Sequence, residues 1–263
     1  MRSDPDTLLD VSGRAATKGL LMRSVHPLRV VSTAMVVAAG STLAVSGCAD
    51  NDSSLFIAGV LGEASNTCTF EPDGDAVTRG SGTIDVSLTQ TYTMPLLLGN
   101  QLVARGDEDK LRTETSRIVI RGAVVTVLDV KTNATLANFS TNANGFVNPS
   151  SGTTPGYGVS FVTAVPSSLG QQLDSSLTLG QFKELNVAVS VYGDTLGGQE
   201  IESATLTYPL FACKGCLVDC STASPIDGSC LSFPEDDLSV SCFIGQDTFA
   251  PCQFSNDPDN ICR

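Results

Sequence analysis

Tryptophan is absent from this chain, and histidine occurs once, at His26. Residues 27–263 therefore offer no imidazole. Ser-His-Asp and Cys-His mechanisms and His-ligated catalytic metals are excluded from that part of the chain, because each needs an imidazole. Aromatic residues make up only 6% of the sequence. This low content disfavours a sugar-binding surface, since such surfaces use flat aromatic faces.

Positive charge is also scarce, with 15 Lys and Arg against 28 Asp and Glu and a formal net charge of −13. Five of the basic and three of the acidic residues precede Cys48, which leaves 10 basic and 25 acidic residues and a net charge of −15 from Cys48 onward. Nucleic acid and anionic lipid are bound through basic patches, so neither is expected as an electrostatic partner. No glycine-rich phosphate loop stands between a predicted strand and a helix.

An apolar segment from Val30 to Val45 follows Arg23 and Arg29 and leads into Val45-Ser46-Gly47-Cys48. A basic region, an apolar core and small residues in this order are typical of an export signal. The last four residues resemble the lipobox of bacterial lipoproteins. The resemblance implies cleavage before Cys48 and diacylglycerol on its sulfur, with fatty acyl chains such as palmitate as the membrane anchor.

The same resemblance bears on location. It implies the bacterial cell envelope, and because Ala49 rather than Asp follows Cys48 it favours the outer membrane, on its periplasmic or surface face. Several acyl chains anchor a protein stably, since each buried methylene contributes about 0.8 kcal/mol. An uncleaved transmembrane anchor and ordinary secretion stay open as alternatives.

The residues before the basic region do not fit the leader of an export signal. Asp4, Asp6 and Asp10 are acidic, whereas such leaders are basic. Met22 directly precedes Arg23. We therefore expect translation to start at Met22.

Apolar residues alternate with polar ones in several segments, which predicts β-strands. Ahead of these segments, Leu55–Leu61 is apolar enough to be a first strand. Ile84–Leu98 keeps its apolar residues on one parity, which predicts one half-buried strand or two strands joined end to end. Pro95 lies on the outward parity of this run and has no amide donor, so an edge position or a break is expected there.

Arg117–Val130 is the most β-rich segment and carries apolar residues on both parities. This pattern predicts a central strand, and Gly122 is the predicted site of a bulge that switches its faces. Lys131–Asn133 forms a predicted turn into a strand over Thr135–Ser140, and residues 142–156 form a predicted long loop.

After this loop, a strand is predicted over Val159–Val165, and it ends at Pro166. The pattern between residues 167 and 183 is ambiguous, and one helical turn is placed around Leu177–Phe182. A hairpin is predicted next. Its first strand, loop and return strand are Leu185–Val191, Asp194–Gln199 and Ala204–Leu210.

Six to eight strands, turn signals between them and little helical periodicity predict an all-β fold. We expect an antiparallel β-sandwich of immunoglobulin-like general architecture, followed by a disulfide-rich, loop-dominated C-terminal tail. The predicted parts are a signal region (1–47), a lipidated tether (48–54), the β-sandwich (55–212) and a cysteine-rich tail packed on it (213–263).

Eight cysteines follow Cys48, namely Cys68 and seven in the tail: Cys213, Cys216, Cys220, Cys230, Cys242, Cys252 and Cys262. An even number in an exported chain predicts disulfides. Seven tail cysteines cannot all pair among themselves, so we expect Cys68 to bridge to one of them, within Cys213–Cys220. A zinc site or a redox pair at Cys213 and Cys216 is the alternative, but neither a second Cys-x2-Cys nor a histidine accompanies that pair.

Carboxylates are the remaining candidates for chemistry. Glu200 and Glu202 share a parity, which leaves two-carboxylate glycoside hydrolysis formally open, although charges beside a hairpin are usually a solvated face. Four acidic loop clusters raise the question of Ca²⁺, but none has the spacing of an EF-hand loop. They are Asp73–Asp75, Asp107–Asp109, Glu235–Asp237 and Asp257–Asn260.

These features favour a lipid-anchored cell-envelope protein with a non-enzymatic role in structure, adhesion or assembly, without catalytic residues, metal or cofactor. Its expected partners are the membrane, through the N-terminal lipid, and an envelope protein of unknown identity. Nucleic acid is not expected as a partner. The alternative is a ligand-binding module for a glycan or Ca²⁺ on the envelope surface.

Overall fold

A computed structural model describes residues 54–63, 68–107, 112–222, 230, 241–255 and 262. The predicted signal region, the Met22 start, the lipobox and residues 48–53 of the tether lie outside the described residues, as do Glu235–Asp237 and Asp257–Asn260. The elements are β1 (Leu55–Leu61), β2 (Thr78–Arg79), β3 (Gly82–Asp85), β4 (Tyr92–Asn100), β5 (Ile118–Asp129), β6 (Thr135–Val147), β7 (Gly156–Val165), α1 (Ser167–Ser176), β8 (Phe182–Thr195), β9 (Glu200–Glu202), β10 (Leu206–Cys213), β11 (Val218–Asp219) and β12 (Ala250–Pro251).

Two sheets contribute to one hydrophobic core. The smaller sheet has the strand order β2-β1-β4-β7, and the larger has the order β3-β10-β8-β5-β6, with β9 also on β8. Buried side chains from both sheets meet in a single cluster, for example Leu96, Leu98, Val125, Val189 and Leu210. The all-β prediction is confirmed, and the immunoglobulin-like arrangement stays a prediction. The expectation of antiparallel pairing is wrong at one edge, where β3 runs parallel to β10.

The larger sheet curls towards the smaller one on the side of β6 and β7. Ser160 Oγ on β7 donates to the Asn144 carbonyl oxygen on β6 at 2.9 Å. Gly158 has no room for a side chain, because a Cβ there would collide with the Phe146 carbonyl oxygen. The second half of β6 is therefore covered by β7.

The run Ile84–Leu98 contains two strands that belong to different sheets. β3 lies in the larger sheet and β4 in the smaller one. Both strands face the same core, so Ile84 and Met94 are fully buried on the same parity. The alternation therefore continues across the break between the sheets and conceals it.

Pro95 lies in β4, which is an inner strand of the smaller sheet. The pairing of β1 with β4 ends at Val60 and Leu96. Pro95 lies one residue beyond that pair and faces only Phe161 of β7. Pro95 has no amide donor, but on this side β1 no longer pairs with β4. The position therefore tolerates proline for the same reason as an edge position, because no ladder hydrogen bond is lost.

The central position of β5 is confirmed, since this strand lies between β8 and β6. The bulge at Gly122 is also confirmed, because the register of β5 shifts between Ile120 and Gly122 on both sides. Ile118 and Ile120 are buried before the bulge, whereas Ala123, Val125 and Val127 are buried after it. One extra residue moves the buried parity from even to odd positions.

The predicted loop over residues 142–156 is wrong in its first half, because β6 continues to Val147 and the next strand begins at Gly156. β6 is the last strand of its sheet. Its solvent-facing positions accept Asn142 and Asn144, while Ala143 and Val147 are buried. Residues with low strand propensity are tolerated where the side chain faces water.

The predicted helical turn around Leu177–Phe182 is misplaced. The helix α1 starts directly after Pro166 and ends at Ser176, and Phe182 begins β8. Leu169 and Leu173 are buried, and this single pair of apolar residues spaced by four is a faint periodic signal. Among the described residues, no helix is long and apolar enough to cross a bilayer.

The predicted hairpin after β8 is confirmed, with Gly198 at a φ of +82° in its loop. The returning chain forms two strands and not one, because β9 ends at Glu202 and β10 begins at Leu206. Ser203 Oγ accepts a hydrogen bond from the Val191 amide at 3.0 Å in this interruption. Ala204 is exposed and precedes β10, so the predicted return strand starts two residues too early.

Acid should weaken the turn between β5 and β6. Lys183 donates to Asp129 at 2.6 Å, and the amides of Lys131 and Thr132 donate to the same carboxylate. Hydrogen bonds from Lys183 and Thr132 lower the pKa of Asp129 to about 2. A folded-state pKa below the unfolded value gives stability that is present above about pH 4 and is lost as the pH falls towards 2.

We therefore expect Asp129→Asn to have a lower free energy of unfolding than the wild type at pH 6. The difference between the two proteins, measured by urea unfolding, should become smaller between pH 4 and 2. Asp194→Asn is the control, because its ion pair with Arg121 is solvent-exposed and should contribute little. If the difference in free energy of unfolding between Asp129→Asn and the wild type stayed constant from pH 6 to 2, this account of Asp129 would be contradicted.

Candidate functional site

The eight cysteines after Cys48 form four disulfides. The pairs are Cys68–Cys242, Cys213–Cys216, Cys220–Cys262 and Cys230–Cys252. Cys68 does bridge to the tail, but its partner is Cys242 and not a member of the Cys213–Cys220 cluster. The Cys213-x2-Cys216 pair is joined to itself, which leaves its sulfurs without the thiolates that zinc binding requires.

The bridge at Cys242 brings the following tail segment onto the free edge of β3. Ile84 pairs with Gln246 in an antiparallel bridge. The Asp85 amide donates to the Gly245 carbonyl oxygen at 2.9 Å, and the Asp247 amide donates to the Thr83 carbonyl oxygen at 3.0 Å. The segment Gly245–Asp247, here called the closing segment, thus serves as a short extra strand beside β3.

The Gln246 side chain extends this pairing to the other sheet. Its Nε2 donates to the Thr91 carbonyl oxygen at 2.9 Å, and its Oε1 accepts from the Thr93 amide at 3.1 Å. The side-chain amide carries both a donor and an acceptor, as a backbone peptide does. Gln246 is only 5% exposed. The closing segment therefore bridges β3 of the larger sheet and β4 of the smaller one.

Asp247, the last residue of the closing segment, forms a polar cluster with the buried tyrosines Tyr92 and Tyr208. The Asp247 carboxylate accepts from the Thr83 amide at 2.7 Å and from the Tyr92 hydroxyl at 2.9 Å. Gly82 leaves room for this hydroxyl, with which a Cβ would collide. Asp247 itself has a φ of +62°, a conformation that Asp adopts more readily than most residues.

Burial governs the proton equilibria of this cluster. It raises the pKa of Tyr92 far above its ordinary value, with the Asp247 charge acting in the same direction. It also raises the pKa of Tyr208 to about 12, and it raises that of Asp247 against the hydrogen bonds from Thr83 and Tyr92. Both hydroxyls stay protonated at neutral pH, and the Tyr92 hydroxyl acts here as a donor to Asp247 and not as a base.

Asp85 is the second buried carboxylate at this end of the fold and is fully inaccessible to solvent. It accepts four hydrogen bonds: from the Ser87 amide at 3.0 Å, the Ser87 hydroxyl at 2.6 Å, the Gly215 amide at 2.8 Å and the Leu217 amide at 2.7 Å. Ligand atoms of Asp85, Cys213 and Cys216 lie within 4.8 Å of one another. The sulfurs form a disulfide and both carboxylate oxygens are occupied by amides, so this group holds the start of the tail and not a metal ion.

Three phenylalanines pack together beside the Cys68–Cys242 bridge. The ring centroids of Phe70 and Phe161 are 5.4 Å apart, those of Phe70 and Phe243 are 6.0 Å apart, and those of Phe161 and Phe243 are 6.3 Å apart. Phe70 and Phe243 each follow a bridged cysteine closely, and Phe161 lies on β7. The rings therefore form an apolar contact between the tail and the smaller sheet next to the disulfide.

Glu200 and Glu202 lie on β9, beside an open groove of about 580 Å³. Glu202 accepts from the Ser190 hydroxyl at 2.8 Å, and the groove also contains the exposed ion pair of Arg121 with Asp194 at 3.0 Å. Both glutamates are exposed. They form a solvated face of the hairpin.

The described acidic loops are held by their own backbone. Asp73 accepts from the Asp75 amide at 3.1 Å, while Glu108 and Asp109 lie outside the described residues. Glu114, which the sequence did not single out, accepts from the Arg105 and Gly106 amides at 2.9 and 2.8 Å and from that of Ser116. Desolvation raises the pKa of Glu114, but these amides outweigh it and lower the pKa below its ordinary value.

Sequence reasoning missed Asp85, Tyr92, Gln246 and Asp247. Asp85 and Tyr92 stood out only as members of an alternating strand, and Asp85 on the polar parity suggested solvent. Gln246 and Asp247 lie in a tail without periodicity. The one available signal was Cys242, four residues before Gln246, once its bridge to Cys68 is known. No protein-family model matches this chain, and no curated protein matches it.

We expect Asp85→Asn to lower the free energy of unfolding by about 3 kcal/mol, because an amide nitrogen replaces one acceptor that buried N–H groups need. The start of the tail should also loosen. Limited trypsin digestion, read after reduction, should then cut after Lys214, which the native fold holds through its 2.7 Å ion pair with Asp174.

Asp73→Asn is the matched control, because Asp73 is exposed and accepts a single amide; its effect should stay within about 0.5 kcal/mol. Equal stability and equal trypsin resistance of Asp85→Asn and the wild type would contradict the role assigned to Asp85.

Proposed function

We propose that this chain is a lipid-anchored protein of the bacterial cell envelope, with a non-enzymatic role in structure, adhesion or assembly. The observation that carries the proposal is the complete pairing of the other cysteines. The sequence contains nine cysteines, and eight of them are in the four disulfides. Cys48, the cysteine of the lipobox-like motif, is the one left over for acylation.

The position of β1 fits an anchor at Cys48. β1 begins at Leu55, seven residues later. A chain spans at most about 3.5 Å per residue, so the tether reaches no more than roughly 25 Å. A lipid on Cys48 would hold the β-strands close to the membrane surface. We place the protein in the outer membrane because Ala49 follows the cysteine.

The non-enzymatic role is supported by how the buried polar groups are used. Asp85 binds the amides of the tail, and Asp247 binds a strand amide and the hydroxyl of a tyrosine whose pKa is raised. Both carboxylates accept their hydrogen bonds from groups of the protein itself. The same carboxylates hold the tail on the β-strands, which is a structural task.

We further propose that the two sheets form a β-sandwich of immunoglobulin-like general architecture. The support is a single core shared by β4 and β7 of one sheet and β5, β8 and β10 of the other. Folds of this kind commonly serve as rigid surface modules. An envelope protein of unknown identity is the partner that such a module implies, besides the membrane itself.

Replacing the anchor residue tests the proposal. Wild-type protein should sediment with membranes and carry acyl mass on its N-terminal peptide, whereas Cys48→Ala should carry none. Ser46→Ala is the control, since it keeps a small residue before Cys48 and should be acylated like the wild type. An unmodified Cys48 in wild-type protein isolated from membranes would refute the anchor.

A further inference from the structure

The strand edges of the described fold differ in how well they are protected from pairing with another chain. β2 is only two residues long. β3 is covered by the closing segment. β9 carries Glu200 and Glu202 on either side of its central residue. Short length, covering and charge are the means by which native proteins keep sheet edges from pairing with other chains.

β6 uses none of these means in its first half. This strand of 13 residues pairs with β5 alone, as far as the described ranges extend. Its register is regular from Ala137 to Asn142, ahead of the part that β7 covers. The segment Ala137–Asn142, here called the open edge, contains neither proline nor a charged residue. An edge of this kind offers unpaired amides and carbonyls to another strand.

Charge singles out the same side of the molecule. No charged residue occurs from Thr132 to Leu173, which includes all of β6 and β7. The rest of the chain after Cys48 therefore carries the whole net charge of −15. Two copies repel each other through most of their surfaces, and this repulsion is weakest where the open edge lies.

We propose that the open edge of β6 pairs with the same edge of a second copy of this chain. The pairing is antiparallel, because a two-fold axis across two identical edges reverses the strand direction. Each copy then supplies the amides and carbonyls that the other lacks. The inference rests on the proposed function in one respect: copies anchored in one membrane have a high effective concentration, so a short edge contact suffices.

Co-purification of two differently tagged full-length copies from detergent-solubilised membranes tests this pairing. Each tagged copy should recover the other. Ser140 and Asn142 are exposed on the open edge. Changing both to Asp in both copies should lower the recovery about tenfold, since like charges across a strand pair repel. Pairing one copy with both residues changed to Asp and one with both changed to Lys should restore it.

Thr205→Asp with Thr207→Asp is the matched control. Both threonines are exposed; Thr205 directly precedes β10, and Thr207 lies on β10, an inner strand of the same sheet. This variant should recover its partner as well as the wild type does. Unchanged disulfide mapping of every variant would show that each one folds.

Three results would overturn the inference. One is the absence of co-purification of wild-type copies whose Cys48 is acylated, which would leave the proposed function standing. Another is that changing Ser140 and Asn142 to Asp does not lower the co-purification, or that combining the Asp variant with the Lys variant does not restore it. The third is a photo-cross-linker at Ser140 that captures a different protein or the chain's own tail. An unacylated Cys48 in co-purifying copies would instead refute the proposed function and leave the pairing intact.

Discussion

The fold depends on the closure of a gap between two sheets by a distant piece of chain. β3 and β4 are neighbours in sequence but lie in different sheets, and their exposed backbone groups need partners. Gly245–Asp247 supplies them, through two backbone hydrogen bonds to β3 and two side-chain hydrogen bonds from Gln246. The Cys68–Cys242 bridge holds this segment across a sequence separation of 174 residues. In the chain-entropy model, such a long loop stabilises the fold by about 5 kcal/mol.

This closure lies at the end of β4 opposite to the start of β1. Leu55, at the start of β1, pairs with Asn100 at the far end of β4, whereas the Gln246 side chain bonds Thr91 and Thr93 at its near end. β4 has nine residues, so the two ends are roughly 25 Å apart along the strand. The stapled tail therefore serves the end of β4 opposite to the start of β1. Disulfides suit that role, since the described part of the tail buries only a small cluster, for example Leu217, Val218 and Ala250, around its bridges.

Local periodicity identified strands such as Leu185–Val191, whose alternating apolar residues are buried, and the bulge at Gly122, where the apolar residues change parity. It failed where contacts between distant parts of the chain determine which residues are buried and where a strand ends. Asp85 is buried because the tail covers it, and the division of Ile84–Leu98 is invisible because both strands face one core. The extent of β6 was underestimated because an edge strand tolerates Asn142 and Asn144. The count of cysteines required a bridge from Cys68, but only the fold selects Cys242, since spacing does not determine connectivity.

Hydrogen exchange measured on Cys68→Ala with Cys242→Ala, a variant that leaves no unpaired thiol from this bridge, tests the closure most directly. The amides of Thr83, Asp85 and Thr93 all donate to the closing segment in the native fold. Peptides covering residues 82–95 should be protected in the wild type and exchange quickly in the variant, while those of β5 and β8 remain protected. Equal protection of residues 82–95 in both proteins would contradict the claim that the tail completes the sheets.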